Sequence, residues 1–158
     1  MESFISKILD AIDLQILDIL QQQADLSNAE IAKRVNLSPP AVHARIKRLD
    51  TEGYIQQKVA ILDPEKLGFD LLCFIFISTN IHQADELQVL ENALEAMPQI
   101  LECQCLTGEY DYLLKVANKD RKDLQSFIRK LNKLGITKIQ TSLALREVKS
   151  STVLPILP

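Results

Sequence analysis

The hydrophobic period of this chain changes once, and that change constrains the fold more than any other feature of the sequence. Before residue 63, apolar residues recur at the three- and four-residue spacing of amphipathic helices. After residue 70, short apolar runs alternate with two further helical patterns. The segment between them, 63–70, is polar and contains Pro64 and Gly68, as expected for a linker. We therefore predict two domains, 1–62 and 71–158, joined by the linker 63–70.

The first sixty residues predict three short helices, each with its own start signal. The first helix is expected over Asp13–Gln22, and the second opens at the capping box of Ser27–Glu30. The third is capped by Ser38 and has Pro39 in its first turn, where a missing N–H group costs nothing. Short helices joined by a turn of three or four residues describe a helix-turn-helix. Residues 54–60 alternate around a short extended segment, which predicts a wing beside it.

The third helix carries the strongest charge signal, in a chain whose formal net charge is −3. Five basic residues and His43 lie between residues 31 and 49, a stretch without any Asp or Glu. On a helical wheel the apolar residues form one buried stripe, and Lys47 and Arg48 point away from it. Such a cationic face is the electrostatic footprint of a phosphate-binding surface, although a solvated helix face is the alternative. The predicted DNA-contacting residues are Ser38, Pro40, His43, Ala44, Arg45, Lys47 and Arg48.

The elements predicted after residue 70 follow the order β-α-β-β-α-β. The expected strands are Leu71–Ser78, Ile100–Leu106, Tyr112–Ala117 and Lys138–Arg146, and the expected helices are Ala84–Met97 and Asp120–Leu134. That order is the split βαβ arrangement of a ferredoxin-like domain. The predicted fold class is therefore α+β, with an N-terminal winged helix-turn-helix domain followed by a ferredoxin-like βαββαβ domain.

The first of these strands is apolar on both of its faces over Leu71–Ile77. In this architecture both helices lie on one face of an antiparallel sheet. A monomer would expose the other face as a large apolar patch, which soluble monomers avoid. We therefore expect self-association through the sheet, and cover by the N-terminal domain is the alternative. The apolar tail Val153–Leu157 adds more surface that needs a partner.

The chain has three cysteines, Cys73, Cys103 and Cys105. An odd number without a secretion signal argues against a disulfide framework, so we expect reduced, packed thiols. A zinc site is not favoured, since only two histidines are available to complete it. No nucleophile–base pair, phosphate loop or membrane-spanning run is apparent. The sequence therefore predicts a cytoplasmic protein without a metal or cofactor.

Four stretches of the first half are specific enough to indicate a family. Residues 16–20, 26–32, 37–49 and 52–55 read ILDIL, LSNAEIA, LSPPAVHARIKRL and EGYI. Together they resemble the DNA-binding domain of the Lrp/AsnC regulators, the leucine-responsive and asparagine-responsive transcription factors. The resemblance implies that double-stranded DNA is a partner.

The second half is similar to the effector-binding and assembly domain of the same family. Thr107–Leu114 contains its Gly-x-x-Asp turn as Gly108 and Asp111, and Thr141 with Ser142 matches the polar pair of its last strand. The resemblance implies homodimers that assemble into a tetramer or octamer, with amino acids bound between subunits. There, Gly108 would let backbone N–H groups approach a carboxylate and Asp111 would face an ammonium group, while Thr141 and Ser142 would offer hydroxyl groups.

The predicted function is a sequence-specific DNA-binding transcriptional regulator whose activity or assembly responds to a small amino acid. We expect an apolar one, such as leucine or methionine, because no second charged pair is apparent near Gly108 or Thr141. The alternatives are an Lrp-like enzyme of the sirohaem decarboxylase type and an effector-independent DNA-architectural protein. An enzyme would not need Arg45, Lys47 and Arg48 on its third helix, so we expect no enzymatic activity.

Overall fold

A computed structural model describes residues 9–157, which form two compact units. One unit comprises the described residues up to Ile61 together with 149–157, and the other comprises Leu62–Val148. The tail that the sequence assigns to the second domain thus groups with the first unit. Within this unit, the side chain of Gln21 and the backbone of Leu154 exchange two hydrogen bonds, at 2.9 and 2.8 Å. Residues 1–8 and 158 lie outside the described part of the chain.

The first unit contains three helices, as predicted. They are α1 (Ala11–Gln22), α2 (Asn28–Val35) and α3 (Pro39–Thr51). Ser27 opens α2 in a reciprocal capping box, and Ser38 caps α3 with Pro39 in its first turn, so both predicted start signals are confirmed. Helix α1 begins two residues earlier than predicted. The reason is a second capping box at Asp10. The Asp10 side chain accepts a hydrogen bond from the backbone N–H of Asp13, and the Asp13 side chain accepts one from the backbone N–H of Asp10.

Apolar residues from all three helices form the core of this unit. The buried members are Ile16, Leu20, Ile31, Ala32, Val35, Val42 and Leu49. Helix α2 ends at Val35, and the next residue, Asn36, adopts a left-handed conformation with φ of 55° and turns the chain towards α3. Residues 55–63 have neither helix nor strand, so the extended segment predicted as a wing forms no sheet. Its residues are largely exposed, and the described part of this unit offers no strand with which to pair.

The second unit is a four-stranded antiparallel sheet with two helices. Its elements are β1 (Leu71–Thr79), α4 (Ala84–Glu95), β2 (Ile100–Cys105), β3 (Tyr112–Asn118), α5 (Arg121–Leu131) and β4 (Ile136–Leu143). The strands lie in the order β2-β3-β1-β4. This is the predicted ferredoxin-like arrangement, and the α+β fold class is confirmed. The segment predicted as a linker contains a single-turn helix, Glu65–Leu67.

Alternation along β1 separates the two faces of the sheet. Cys73, Ile75 and Ile77 are buried in the core that α4 and α5 contribute to. Phe74 and Phe76 belong to the opposite face, which we call the open face, and Phe74 is 36% exposed. The strand is therefore apolar on both faces, as predicted. No helix in the described residues is long and apolar enough to cross a membrane.

Candidate functional site

Helix α3 presents a cationic surface beside its buried stripe. Val42 and Leu49 are fully buried and anchor the helix in the core. The predicted DNA-contacting residues that lie exposed are Ser38, Pro40, His43, Ala44 and Lys47. The His43 ring is oriented by α2, because its Nδ1 lies 3.2 Å from the side-chain amide nitrogen of Asn28. A helix that is small at the centre of its exposed face and cationic at the edge can enter a major groove.

Arg45 and Arg48 are arranged differently from these exposed residues. Nη1 of Arg45 lies 2.6 Å from a carboxylate oxygen of Asp10 and 2.7 Å from Oδ1 of Asp13. Nη2 of Arg48 contacts Oδ2 of Asp13 at 2.5 Å. Arg48 lies away from the buried stripe, as predicted, and its side chain is 40% exposed, but it does not project freely into solvent. Its side chain turns towards α1 because it compensates the charge of a buried carboxylate there.

Asp13 is the centre of this network and is only 1% exposed. Burial raises the pKa of its carboxyl, but hydrogen bonds from Arg45, from the backbone N–H of Asp10 and from Arg48 outweigh burial and lower that pKa. The backbone N–H of Asp13 and the Arg45 side chain likewise lower the pKa of Asp10. The same pairs raise the pKa of both guanidinium groups. All four groups are therefore charged at neutral pH, and the network ties α3 to α1.

The sequence contained a signal for this network that the predictions above did not use. Asp10 and Asp13 are three residues apart, and so are Arg45 and Arg48. Residues at this spacing share one helix face, so a pair of acids can meet a pair of arginines where two helices pack. Opposed i,i+3 pairs of opposite charge would have suggested the contact.

The predicted effector residues begin with the turn between β2 and β3. Gly108 is exposed and has φ of 124°, a conformation that side-chain-bearing residues rarely adopt. Asp111 holds the turn in place, since its backbone N–H donates to Ile77 and its carbonyl accepts from Leu106. Its Oδ2 also accepts from the backbone N–H of Thr79 at 2.8 Å. The Asp111 carboxylate is therefore partly used inside the chain, and its Oδ1 accepts no hydrogen bond from the described residues.

The register of β4 separates the two predicted hydroxyl residues. Thr141 pairs with Ile75, and Ser142 pairs with Phe74. Neighbouring strand residues point to opposite faces, so Thr141 shares the face that carries the helices and Ser142 shares the open face. Both residues are exposed. A single face of this chain therefore does not bring the two hydroxyl groups together.

Four residues that the sequence argument missed surround the Gly108 turn on the open face. Nζ of Lys138 lies 2.6 Å from Oε1 of Glu109 and 4.4 Å from the ring centre of Tyr110. The Tyr110 hydroxyl donates to Oε1 of Gln140 at 2.5 Å, and its ring centre lies 5.3 Å from that of Phe76. The alternation of polar residues along β4 was the available signal.

These contacts correct one premise of the effector prediction. The expectation of an apolar amino acid assumed that no charged pair lies near Gly108. The pair formed by Glu109 and Lys138 does lie there, and its hydrogen bond raises the pKa of Lys138. The absence of charge can therefore no longer be used to choose among amino acids.

The three cysteines are free, and their environments differ from the prediction of packed thiols. Cys73 is buried, but Cys103 and Cys105 are exposed because β2 is an edge strand. With Glu91 and Tyr112 they line an open cleft of about 430 Å³ between α4 and β2. The described residues contain no cluster of three or more His, Cys, Asp and Glu side chains suited to a metal ion.

Comparison with known proteins accounts for both halves of the chain. The winged helix-turn-helix DNA-binding domain family matches residues 9–56, and the Lrp/AsnC ligand binding domain family matches residues 72–154. The chain is 37% identical over 151 residues to the DNA-binding transcriptional activator DecR of Escherichia coli (strain K12), covering 94% of this chain and 99% of that protein. It is 36% identical over 152 residues to the leucine-responsive regulatory protein of the same organism, covering 95% and 93%.

Solved structures agree with these sequence matches. A transcriptional regulator from Neisseria meningitidis in complex with L-Met superposes with a TM-score of 0.89 at 35% identity, covering 94% of this chain and 97% of that one. AsnC of E. coli superposes with a TM-score of 0.83 at 28% identity, covering 92% and 98%.

The helix-turn-helix followed by a ligand-binding βαββαβ domain, together with these matches, identifies a DNA-binding transcriptional regulator. The chain belongs to the Lrp/AsnC family of such regulators, so the resemblance found in the sequence is confirmed. The relatives named above are transcriptional regulators, which is consistent with a protein that acts by binding rather than by catalysis.

Proposed function

We propose that this chain is a self-associating regulator that binds specific DNA sites through α3 and responds to a small amino acid, methionine or leucine. The observation that carries the DNA-binding part is the exposed cationic side of α3, with His43, Ala44 and Lys47 directed to solvent. Lys33 and Arg34 on α2 are also exposed and extend the positive surface. Phosphate contacts from such residues would position the helix, and the residues at its centre would meet base edges.

The proposed contact set keeps Arg45 and Arg48 alongside Ser38, Pro40 and the exposed α3 residues. Each arginine uses one terminal nitrogen for the carboxylates, Nη1 in Arg45 and Nη2 in Arg48. A guanidinium has five N–H donors, so other donors remain for phosphate oxygens. The two side chains are 30% and 40% exposed, which supports this double use.

Lys47→Ala tests the DNA-binding part, with Lys130→Ala as the matched control because Lys130 is an exposed lysine on α5. We expect Lys47→Ala to weaken binding to all duplexes and to reduce the salt slope by about one unit. Lys130→Ala should bind as the unmodified chain does. A chain that shows no salt-dependent binding to any duplex would contradict the proposal.

The effector part is supported by the ligand-binding domain family and by two relatives. One is a regulator described in complex with L-Met, and another is named as leucine-responsive. We place the ligand against the Gly108 turn, where Oδ1 of Asp111 can face an ammonium group and turn N–H groups can face a carboxylate. Because Thr141 and Ser142 lie on opposite faces of the edge strand β4, we propose that the cleft also takes walls from a second chain.

Thermal shift against the twenty amino acids tests this part. A ligand at one hundred times its dissociation constant should add about 2.7 kcal/mol of stability per site. We expect methionine or leucine to raise the melting temperature and to change DNA affinity. If no amino acid changes either quantity, the effector proposal fails and an effector-independent DNA-architectural role gains support.

Self-association is proposed to use the open face of the sheet. Leu72, Phe74 and Phe76 form an apolar row along β1, and none of them is fully buried within this unit. At one margin of the row Lys115 and Glu102 form an ion pair at 2.8 Å. An apolar centre with a polar rim is the usual composition of a protein interface.

A further inference from the structure

We propose that Asp13 is a positioning residue of the DNA interface, which holds Arg45 and Arg48 in the orientation from which their free N–H groups meet phosphate. This inference rests on the proposed DNA-binding function. It adds a residue of α1, outside the α2–α3 pair that forms the helix-turn-helix.

Both oxygens of the Asp13 carboxylate accept hydrogen bonds that fix its position. Oδ1 accepts from Arg45 at 2.7 Å, and Oδ2 accepts from both Arg48 and the backbone N–H of Asp10. The hydrogen bonding between Asp10 and Asp13 is reciprocal, because Oδ1 of Asp10 accepts from the backbone N–H of Asp13 at 2.8 Å. The start of α1 and two side chains of α3 therefore share one hydrogen-bonded arrangement.

The acidic and basic members of this arrangement differ in their burial. Asp13 is 1% exposed, whereas the side chains of Arg45 and Arg48 are 30% and 40% exposed. Each guanidinium is held on its inner side and reaches solvent on its outer side. A free arginine side chain loses much rotamer freedom when it binds a phosphate, and a tethered one has already lost it. Asp13 thus lowers the entropic cost of both contacts.

The positioning role and plain electrostatics predict opposite effects for Asp13→Asn. If net charge alone controls binding, Asp13→Asn should bind DNA more tightly, because it removes a negative charge near the cationic surface. Releasing the two guanidinium groups weakens binding, if their orientation matters. Asp18→Asn is the matched control, since Asp18 lies on the same helix and accepts hydrogen bonds from Gln21 and Gln22 at 3.0 and 2.9 Å.

The experiment measures binding of the full chain to a fluorescent duplex of mixed sequence, over salt concentrations from about 50 to 200 mM. We expect Asp18→Asn to bind as tightly as the unmodified chain or more tightly. Asp13→Asn should bind about tenfold more weakly at the lower salt, with a salt slope reduced by up to about two units. Circular dichroism at the assay temperature verifies that each variant is folded.

A second pair of substitutions keeps the test valid if Asp13→Asn does not fold. Arg45→Lys and Arg48→Lys together retain both positive charges but replace the planar fork with a flexible ammonium group. The positioning role predicts weaker binding by this variant, and a pure charge effect predicts unchanged binding. If Asp13→Asn binds as Asp18→Asn does, or the double lysine variant binds as the unmodified chain does, the inference is overturned while DNA binding stands. If the unmodified chain shows no salt-dependent binding, the proposed function itself fails.

Discussion

Replacing both Arg45 and Arg48 with alanine would leave the Asp13 carboxylate buried without a cation. Removing one side of a buried ion pair typically costs about 3–5 kcal/mol. The arginines themselves are 30% and 40% exposed, so part of their interaction is already screened by water. We therefore expect a loss near the lower limit, about 3 kcal/mol, from a free energy of unfolding that is typically about 5–15 kcal/mol.

Urea denaturation followed by circular dichroism measures this loss. With m-values of about 1–3 kcal/mol per molar urea, a loss of about 3 kcal/mol lowers the midpoint by about 1–3 M. Lys47→Ala is the matched control, because Lys47 is an exposed cation between the two arginines and should change stability by no more than about 0.5 kcal/mol. Adding Asp13→Asn to the double variant should recover part of the loss, since an amide is less costly to bury than an unpaired carboxylate. An unchanged urea midpoint in the double alanine variant would refute the reasoning.

Three further predictions concern pH, assembly and the effector. The folded-state pKa of Asp13 is lowered, so its contribution to stability is present above the unfolded value near 3.8 and is lost as the pH falls through the folded value. The difference in unfolding free energy between the unmodified chain and Asp13→Asn should therefore shrink below pH 3.8, and a constant difference in urea titrations would contradict this. The double variant Phe74→Glu, Phe76→Glu should weaken self-association at least about tenfold, since burying each ring contributes about 1.5–3 kcal/mol. Sedimentation that shows unchanged assembly would exclude the open face as the interface. Asp111→Asn should reduce effector affinity well over tenfold while DNA binding without effector survives, and unchanged affinity by calorimetry would remove Asp111 from the site.

The sequence by itself determined the features that depend on neighbours close along the chain. The capping signals at Ser27 and Ser38 specify helix starts, because each involves backbone groups only two or three residues away. The two-sided apolar character of β1 follows from its composition and from the two-residue period of a strand. Recognition of the family followed from the same local patterns, since they span both domains in the right order.

Tertiary structure alone decided which distant charges meet. Arg48 and Asp13 are 35 residues apart, and Lys138 and Glu109 are 29 residues apart. The i,i+3 spacing of Asp10 with Asp13 and of Arg45 with Arg48 could suggest that the two pairs meet, but only the packing of α1 against α3 decides that they do. The strand order β2-β3-β1-β4 decided that the Gly108 turn faces Lys138 and Gln140 rather than both Thr141 and Ser142. The physical reason is that a charge placed at a helix surface is free to pair or to remain solvated. Only the packing of a second element against it, and the burial that this packing imposes, selects between the two states.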